Sequence, residues 1–320
     1  MKVLVTGGAG YVGSIVAGGL LAGGHSVRVL DSLMYGGDAL MGLYPAGDFE
    51  FIRGDIRDRD TVTRALAGTD AVIHLAAIVG DPACSRTPDV AKDVNEKGSL
   101  ALFEAAARAK VKRFVFASTC SNYGKMGAAG DALTETSELR PVSLYAETKV
   151  AVERALLAST GGPVVTLLRL ATVYGLSPRM RFDLTVNEFT MELMTKRELK
   201  IFGGQFWRPY LHVRDAARMM RLVLERPESA VGGEVFNVGS NSENYTKQML
   251  VDLISAEVGG DLKIEHVHRA EDPRDYKVDF SKAKAFGFIP SRSVRDGVRE
   301  IMSAITNGVI TDFDNPKYRD

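Results

Sequence analysis

Short apolar runs alternate with longer stretches of helical pattern through the first half of the chain. Runs rich in β-branched residues predict strands at 3–6, 26–30, 49–53, 71–75, 114–118 and 164–168. The stretches between them predict helices at 12–22, 59–67, 96–109 and 144–158. Strands that alternate with helices of this length are typical of a parallel sheet covered on both faces. The pattern therefore predicts a doubly wound α/β domain over residues 1–174.

The pattern changes after Gly175, where arginine, proline and tryptophan become prominent and strand signals become sparse. One further strand is predicted at 234–238 and one further helix at 247–257. We interpret 175–208 and 241–320 as a smaller second domain that binds the substrate. The segment 209–240 is expected to return to the first domain.

Composition narrows the classes of function. Lys+Arg and Asp+Glu number 40 each, so no net charge attracts the chain to nucleic acid or to an anionic membrane. Two cysteines are too few for a disulfide framework and fit a reducing compartment. No apolar run approaches the ~18 residues of a membrane span, and no signal peptide is evident at the first residues. We expect a cytoplasmic protein without nucleic-acid, membrane or metal partners.

A glycine motif follows the first predicted strand and opens the first predicted helix. Gly7, Gly10 and Gly13 are spaced Gly-x-x-Gly-x-x-Gly, which suits a tight turn, a close approach of backbone N–H groups to a pyrophosphate, and close packing of helix on strand. Asp31 ends the second strand, 18 positions beyond Gly13, where a carboxylate can hold an adenosine ribose. A carboxylate repels a 2′-phosphate. The motif therefore predicts a Rossmann-type domain that binds NAD rather than NADP.

Further coenzyme contacts are predicted at the carboxyl ends of the next strands. Asp55 and Ile56 follow the third strand and are expected beside the adenine, whereas His74 is interpreted as a structural residue. The remaining predicted coenzyme contacts are Tyr11, Val12, Leu75, Ala76, Ala77, Ser118, Tyr145 and Lys149.

A phenol and an ammonium are four residues apart at Tyr145 and Lys149, hence on one face of a helix. A phenol is a poor base at neutral pH, and a neighbouring ammonium favours its ionised form. Hydroxyl side chains at 118–121 end the fifth strand, where open α/β sheets bind ligands. One of them is expected to hydrogen-bond the hydroxyl that is oxidised.

These motifs, together with Arg208-Pro-Tyr-Leu-His212-Val-Arg-Asp215, occur in the order typical of one family. The chain resembles the extended short-chain dehydrogenases/reductases over nearly its whole length. Among these it is most similar to the nucleotide-sugar epimerases and dehydratases, such as the UDP-glucose 4-epimerases. The resemblance implies a nucleotide-sugar substrate and NAD as the coenzyme.

The same resemblance implies roles for single residues. Tyr145 would be the base, Lys149 its activator and Ser121 the hydroxyl partner. Arg208 matches an arginine that contacts the nucleotide diphosphate, and either Arg269 or Arg274 matches a second such arginine. His212 belongs to the signature as a buried structural residue or a ligand contact.

Two departures from the family pattern bear on the reaction. The 4,6-dehydratases carry an Asp-Glu pair where this chain has Cys120-Ser121, so 4,6-dehydration is not expected. Enzymes that epimerise C3 or C5 use a cysteine one residue later, so Cys120 is either an acid/base or a small buried residue that lines the pocket.

The second departure follows the sixth strand. Thr172 replaces an asparagine that commonly touches the ligand in this family, and it is expected to contact the substrate. Thr119, at the end of the fifth strand, is a further expected substrate contact. Arg179 and Arg181 follow shortly after, where they could bind phosphate or a carboxylated sugar or form a solvated basic loop.

The sequence leaves three functions open. The leading interpretation is an epimerase that oxidises C4 of the sugar transiently. The second is a C3/C5-epimerase, decarboxylase or reductase with the same Tyr/Lys site, and the third is a non-catalytic dinucleotide-binding protein.

A homodimer is also predicted from the sequence. In the related enzymes the helices near 96–109 and 144–158 pair across a two-fold axis. Here both stretches carry more apolar residues than one buried stripe requires. These residues are Leu100, Leu102, Phe103, Val150 and Leu156.

Overall fold

A seven-stranded parallel sheet forms the centre of the molecule. The computed structural model describes residues 1–126, 131–272 and 274–320. The strand order is β3-β2-β1-β4-β5-β6-β10, and every neighbouring pair is parallel. The strands are β1 (Lys2–Thr6), β2 (Ser26–Asp31), β3 (Phe49–Arg53), β4 (Ala71–His74), β5 (Arg113–Thr119), β6 (Val164–Leu170) and β10 (Glu234–Val238).

Successive residues of a strand point to opposite faces of the sheet, so these apolar strands present apolar side chains on both faces. Helices cover both faces. Val3 and Val5 face one apolar cluster, and Leu4 between them faces another. The first face is covered by α1 (Tyr11–Ala22) and α8 (Val213–Glu225), which pack together. The second face is covered by α2 (Arg59–Leu66), α5 (Ser99–Arg108) and α6 (Leu144–Ala158).

Short helices complete this part of the chain. They are α3 (Asp81–Arg86), α4 (Pro88–Lys92), α9 (Glu228–Val231) and α11 (Ser281–Ala285). A π-helical turn, Asp93–Gly98, joins α4 to α5 into one continuous helix. The predicted helix 96–109 therefore begins eight residues earlier, at Pro88.

A second group of elements packs around its own apolar cluster. It contains α7 (Thr185–Thr195), α10 (Lys247–Val258) and α12 (Val294–Thr306). Two small sheets accompany them: β11-β9-β7 and β12-β8. Their strands are β7 (Thr172–Tyr174), β8 (Glu198–Phe202), β9 (Trp207–His212), β11 (Asn244–Thr246) and β12 (Lys263–Val267).

The predicted fold class, a Rossmann-type parallel sheet covered by helices, is confirmed. All seven predicted strands are present, and their ends differ from the predicted ends by at most two residues. The expectation of sparse strands after Gly175 is wrong, since β8, β9, β11 and β12 all lie there. In the segment 209–240, α8 and β10 lie on the main sheet, whereas β9 belongs to a small one.

None of the helices in the described ranges is long and apolar enough to cross a membrane.

Candidate active site

The glycine loop between β1 and α1 has the close contacts that its spacing predicts. Gly7 has a φ of +73°, and a Cβ there would lie 2.7 Å from the backbone nitrogen of Ala76. A Cβ on Gly13 would lie 2.1 Å from the carbonyl oxygen of Gly7. At Gly10 a Cβ would meet only that same carbonyl, at 3.2 Å. The loop therefore packs tightly against the protein at Gly7 and Gly13 and leaves space at Gly10. This space adjoins the N-terminus of α1, whose free N–H groups can bind a pyrophosphate.

Asp31 lies at the carboxyl end of β2, next to this loop. Its carboxylate accepts hydrogen bonds from the backbone N–H of Leu33 at 2.8 Å and of Ala9 at 3.0 Å. Burial raises the pKa of Asp31, and these two hydrogen bonds oppose that shift. The glycine loop and the carboxylate are thus joined directly, as a dinucleotide site requires.

The predicted contacts after β3 and β4 lie at the same end of the sheet. The Asp55 carboxylate is held by Arg57 at 2.7 Å, and Ile56 is buried in the core beside Gly98. Leu75 and Ala76 lie against β1, where their N–H groups donate to the backbone oxygen and the hydroxyl of Thr6. Ala77 is the next residue along this turn.

His74 is fully enclosed between β1 and α5. Its ring nitrogens pair with the hydroxyls of Thr6 at 2.7 Å and Ser99 at 2.8 Å. Burial lowers the pKa of His74 to about 3, so the ring is neutral at working pH. These contacts fit the structural interpretation of His74.

Tyr145 and Lys149 share one face of α6, as their spacing predicts. The ammonium of Lys149 lies 5.9 Å from the centroid of the Tyr145 ring and donates to the carbonyl of Ala117 at 2.8 Å. Burial lowers the pKa of Lys149 to about 8. Burial raises the pKa of Tyr145, and the positive charge of Arg181 opposes this. A phenol in this environment would need neighbouring cations before it could accept a proton.

The residues that end β5 point in different directions. Ser121 is partly exposed, and its hydroxyl lies 3.3 Å from the hydroxyl of Tyr276. Ser118 is buried and accepts a hydrogen bond from Asn122, while Thr119 caps the following turn by accepting from the N–H of Ser121.

Cys120, in contrast to Ser121, is packed into the core. It is 1% exposed, lies in the core, and its thiol donates to the carbonyl of Arg169 at 3.2 Å. Burial raises the pKa of the thiol well above its usual range. Of the two interpretations of Cys120, this geometry favours the small buried residue over an acid/base.

Arg208 on β9 is buried next to Tyr276. Its guanidinium lies 5.4 Å from the Tyr276 ring centroid and pairs with Asp272 at 2.9 Å. Arg274 lies 3.8 Å from the same carboxylate and pairs with Asp81 at 2.7 Å. Because Tyr276 also contacts Ser121, the structure connects Arg208 with the end of β5.

Arg269 lies in a different place, exposed and 5.0 Å from the ring centroid of Phe202. Its carbonyl accepts a hydrogen bond from Gln205. An open pocket lies beside it, lined by Ile201, Gly204, Gln205, Gln248, His266, Val267 and His268. Arg274 is thus the nearer of the two to Arg208, and Arg269 is the nearer to this pocket.

The other sequence-predicted positions lie on β7, in the segment that follows it, and at the end of β9. Thr172 begins β7, in register with Tyr210. Arg179 and Arg181 are both buried, at 7% and 8% exposure, and both pair with Asp320. A solvated basic loop, the alternative interpretation of these arginines, is therefore wrong. His212 is fully buried and pairs with Glu300, which fits its structural interpretation.

The sequence analysis missed several residues that shape the site. Tyr276 was not identified, because a single tyrosine in an irregular segment carries no spacing signal. A buried ion pair, Arg169 with Glu153 at 2.7 Å, fixes α6 against β6. Glu153 also accepts from Asn122 and so ties the helix of Tyr145 to the end of β5. Glu153 lies four residues after Lys149 on the same helix, a spacing that could have identified it.

Comparison with known proteins supports this description. The NAD dependent epimerase/dehydratase family model matches residues 3–239. A dTDP-glucose 4,6-dehydratase of Streptomyces niveus is 32% identical over 314 residues, covering 94% of this chain and 91% of the relative.

Two solved structures illustrate the range of relatives. UDP-glucose 4-epimerase of Thermotoga maritima with UDP-glucose has a TM-score of 0.86 at 31% identity and covers 97% of this chain and 100% of its own. UDP-glucuronic acid 4-epimerase of Bacillus cereus, in complex with UDP-glucuronic acid and NAD, has a TM-score of 0.85 at 27% identity, covering 96% and 99%. The chain belongs to the NAD-dependent epimerase/dehydratase family of extended short-chain dehydrogenases/reductases.

Proposed function

We propose that this protein is a nucleotide-sugar epimerase that acts by transient oxidation at C4 of the sugar. The observation that carries the proposal is the end of β5, which presents the hydroxyl of Ser121 and packs Cys120 into the core. An epimerase at C4 needs a proton acceptor and a hydroxyl partner at the reacting oxygen, and no further acid or base for a ring carbon.

The residues at the glycine loop fit NAD. Gly10 leaves room for a pyrophosphate, and Asp31 offers a carboxylate to the adenosine ribose. The chemistry that bound NAD supplies is reversible hydride transfer, by which C4 is oxidised to a ketone and reduced again from its other face.

The proton is handled by Tyr145 and its neighbours. Tyr145 takes the proton of the 4-hydroxyl and returns it, and the ammonium of Lys149 stabilises the phenolate electrostatically. Ser121 donates a hydrogen bond to the reacting oxygen. Lys149 donates a hydrogen bond to the carbonyl of Ala117, and this contact holds its ammonium beside the ring of Tyr145.

The arginines are proposed to hold the nucleotide end. Arg208, next to Tyr276 and Ser121, is placed to contact the diphosphate with Arg274 nearby, and charge-assisted hydrogen bonds make arginine well suited to this. We propose that Arg269 and the open pocket beside it contact the nucleoside.

Two related reactions keep the same oxidation but need further groups. A C3/C5-epimerase needs an acid/base at a ring carbon, which the buried thiol of Cys120 does not offer. A 4,6-dehydratase needs the Asp-Glu pair that Cys120-Ser121 replaces. Names alone do not decide between them, since relatives of similar identity include dehydratases and epimerases.

The test is incubation with UDP-, dTDP-, GDP- and CDP-sugars in deuterated water. We expect a new sugar stereoisomer, no net NADH, and no deuterium on any ring carbon. Ser121→Ala should lower turnover by about 10- to 1,000-fold, as for a lost acid–base or positioning contact. The matched variant Cys120→Ala should be far less affected. Deuterium at C3 or C5 together with an inactive Cys120→Ala protein would reject the proposal.

We also propose a homodimer through α5 and α6. Four of the five apolar residues that suggested it, Leu102, Phe103, Val150 and Leu156, are buried within the single chain. The interface would instead use apolar side chains that stay exposed, among them Val90 at 41% and Leu157 at 43%. A monomeric mass in solution at micromolar concentration would contradict this.

A further inference from the structure

Residues 310–320, after α12, form a strap that reaches α3 beside the main sheet's helices. Phe313 and Tyr318 pack on the ring of Phe182 at 5.8 and 5.6 Å, and the N–H of Phe182 donates to the carbonyl of Tyr318. At its far end, the backbone oxygen of Asp320 accepts from Arg86, which ends α3. The strap is therefore anchored to both parts of the molecule.

The side chain of Asp320 is buried between two arginines. Its carboxylate lies 2.6 Å from Arg179 and 2.5 Å from Arg181, and the side chain is 6% exposed. Arg181 has a second carboxylate partner in Asp183. Arg179 keeps a buried Nε that has no hydrogen-bond partner among the described residues. Arg179 therefore has donor capacity that one carboxylate does not use.

These arginines lie beside the end of the proposed coenzyme site that Asp31 and the glycine loop form. Arg179 stacks on the ring of Tyr35 at 4.2 Å, four residues after Asp31. The segment that carries the arginines packs on the glycine loop, because the hydroxyls of Tyr11 and Ser177 each donate to a carbonyl of the other segment.

The electrostatic coupling agrees with this position. Burial raises the pKa of Asp31, and the charge of Arg179 opposes that shift. Burial likewise raises the pKa of Tyr145, which Arg181 lowers and Asp320 raises. The cluster is thus close enough to act on both the ribose carboxylate and the proposed base.

We propose that Arg179 and Arg181 form a diphosphate-binding pair, and that the Asp320 carboxylate is an internal competitor which a bound diphosphate displaces. The shared chemistry is a diphosphate. It is either that of the coenzyme, which the pair would hold together with the glycine loop, or that of the nucleotide sugar, which the pair would hold together with Arg208, so the inference rests on the proposed function. A diphosphate offers more acceptor oxygens than a carboxylate and is suited to bidentate contact with arginine.

The test is calorimetric titration of the full chain with NAD, UDP and dTDP separately. Removing the competitor in Asp320→Asn should tighten binding of the displacing ligand by about tenfold, since one competing charge pair is lost. Asp314→Asn is the matched control, because it removes an exposed carboxylate from the same strap. A gain for NAD alone identifies the coenzyme as the source, and a gain for UDP or dTDP alone identifies the nucleotide sugar.

The arginine variants complete the test. Arg179→Met should weaken the same ligand and should cancel the gain when combined with Asp320→Asn. Melting temperatures of all variants show whether Asp320→Asn protein is folded. If it is not, Asp320→Ser removes the same carboxylate and serves as the second variant. Unchanged or weaker binding of all three ligands to folded Asp320→Asn protein would overturn the proposal. Because only binding is measured, failure of the epimerase proposal would appear separately, as absent turnover with intact titrations.

Discussion

The coenzyme end and the arginine-rich end of the cleft are built by different means. At the coenzyme end, backbone geometry makes the site: the glycine loop is shaped by contacts among neighbours such as Gly7 and Gly13. At the other end, Arg208 and Arg274 each pair with a carboxylate from a distant part of the chain. Arg208 and Asp272 are 64 residues apart, and Arg274 and Asp81 are 193 apart.

This difference has consequences for substitution. The glycine loop consists of a few uncharged residues close together in sequence. A substitution there should therefore change how well the ligand fits against the backbone. An arginine that pairs with a distant carboxylate contributes to tertiary structure, so if it also binds the ligand as proposed, its loss should reduce both ligand affinity and stability. The contrast can be tested with substitutions that change only one of three measurements: turnover, KM for the nucleotide sugar, or affinity for the coenzyme.

The largest effect is expected for Tyr145→Phe. The change removes the proton acceptor and little volume, so turnover should fall by about 1,000-fold or more, near the upper range for general base catalysis. Coenzyme binding and the melting temperature should stay near those of the unmodified protein. Tyr44→Phe, at an exposed tyrosine, is the control. Near-normal turnover of purified Tyr145→Phe protein would reject the mechanism.

A smaller effect is expected for Arg208→Met. Hydrogen bonds to a charged group contribute about 1.5–3 kcal/mol, so KM for the nucleotide sugar should rise about 10- to 100-fold. NAD affinity should not change, whereas the melting temperature should fall because Asp272 loses its partner. Arg221→Met, which removes an exposed pair with Glu225, controls for lost charge. An unchanged KM would place the diphosphate elsewhere.

The third prediction concerns pH. Burial lowers the pKa of Lys149 to about 8, so the ammonium is present below that pH and lost above it. Because the phenolate needs this cation, kcat/KM should fall above pH 8 and be about tenfold lower at pH 9. Lys149→Arg keeps a positive charge over the whole pH range. The kcat/KM of this variant should therefore not fall above pH 8, even if it is lower at every pH. A fall above pH 8 that persists in the arginine variant would assign it to another group.

The smallest effect is expected for coenzyme choice. The protein should bind NAD more tightly than NADP, and Asp31→Asn should narrow the preference by about fivefold, the effect of one charge pair near water. The amide keeps an oxygen acceptor for the N–H of Leu33 or Ala9. Asp38→Asn alters an exposed acid in the following loop and should leave the preference unchanged. Equal affinities in the unmodified protein would remove Asp31 from its proposed role.

The contrast between the two ends also explains what could be predicted from sequence. The seven main strands and the glycine loop depend on patterns within a few residues, and their positions were predicted closely. Helices α7, α8 and α12 were missed, although Ser293 and Asp296 form a capping box that marks the start of α12.

The partners of the arginines could not be predicted in this way. The pairing of Asp272, Asp81 and Asp320 with arginines depends on how the two parts of the chain pack, which no local pattern encodes. The direction of Cys120 is a similar case. Cys120 lies just beyond β5, in a short helical turn over Cys120–Tyr123, so the alternation of strand side chains does not extend to it and no local pattern shows that it points into the core.

The position of β10 in the sheet has a consequence for synthesis on the ribosome. β6 ends at Leu170, and β10, which pairs with its free edge, is completed at Val238. At about 5–20 residues per second, roughly 3–14 s of translation separate the two strands. During that interval the nascent chain carries an apolar strand with one unpaired edge, which is a template for aggregation. Fragments that stop before Glu234 should therefore need chaperone protection that the complete sheet does not.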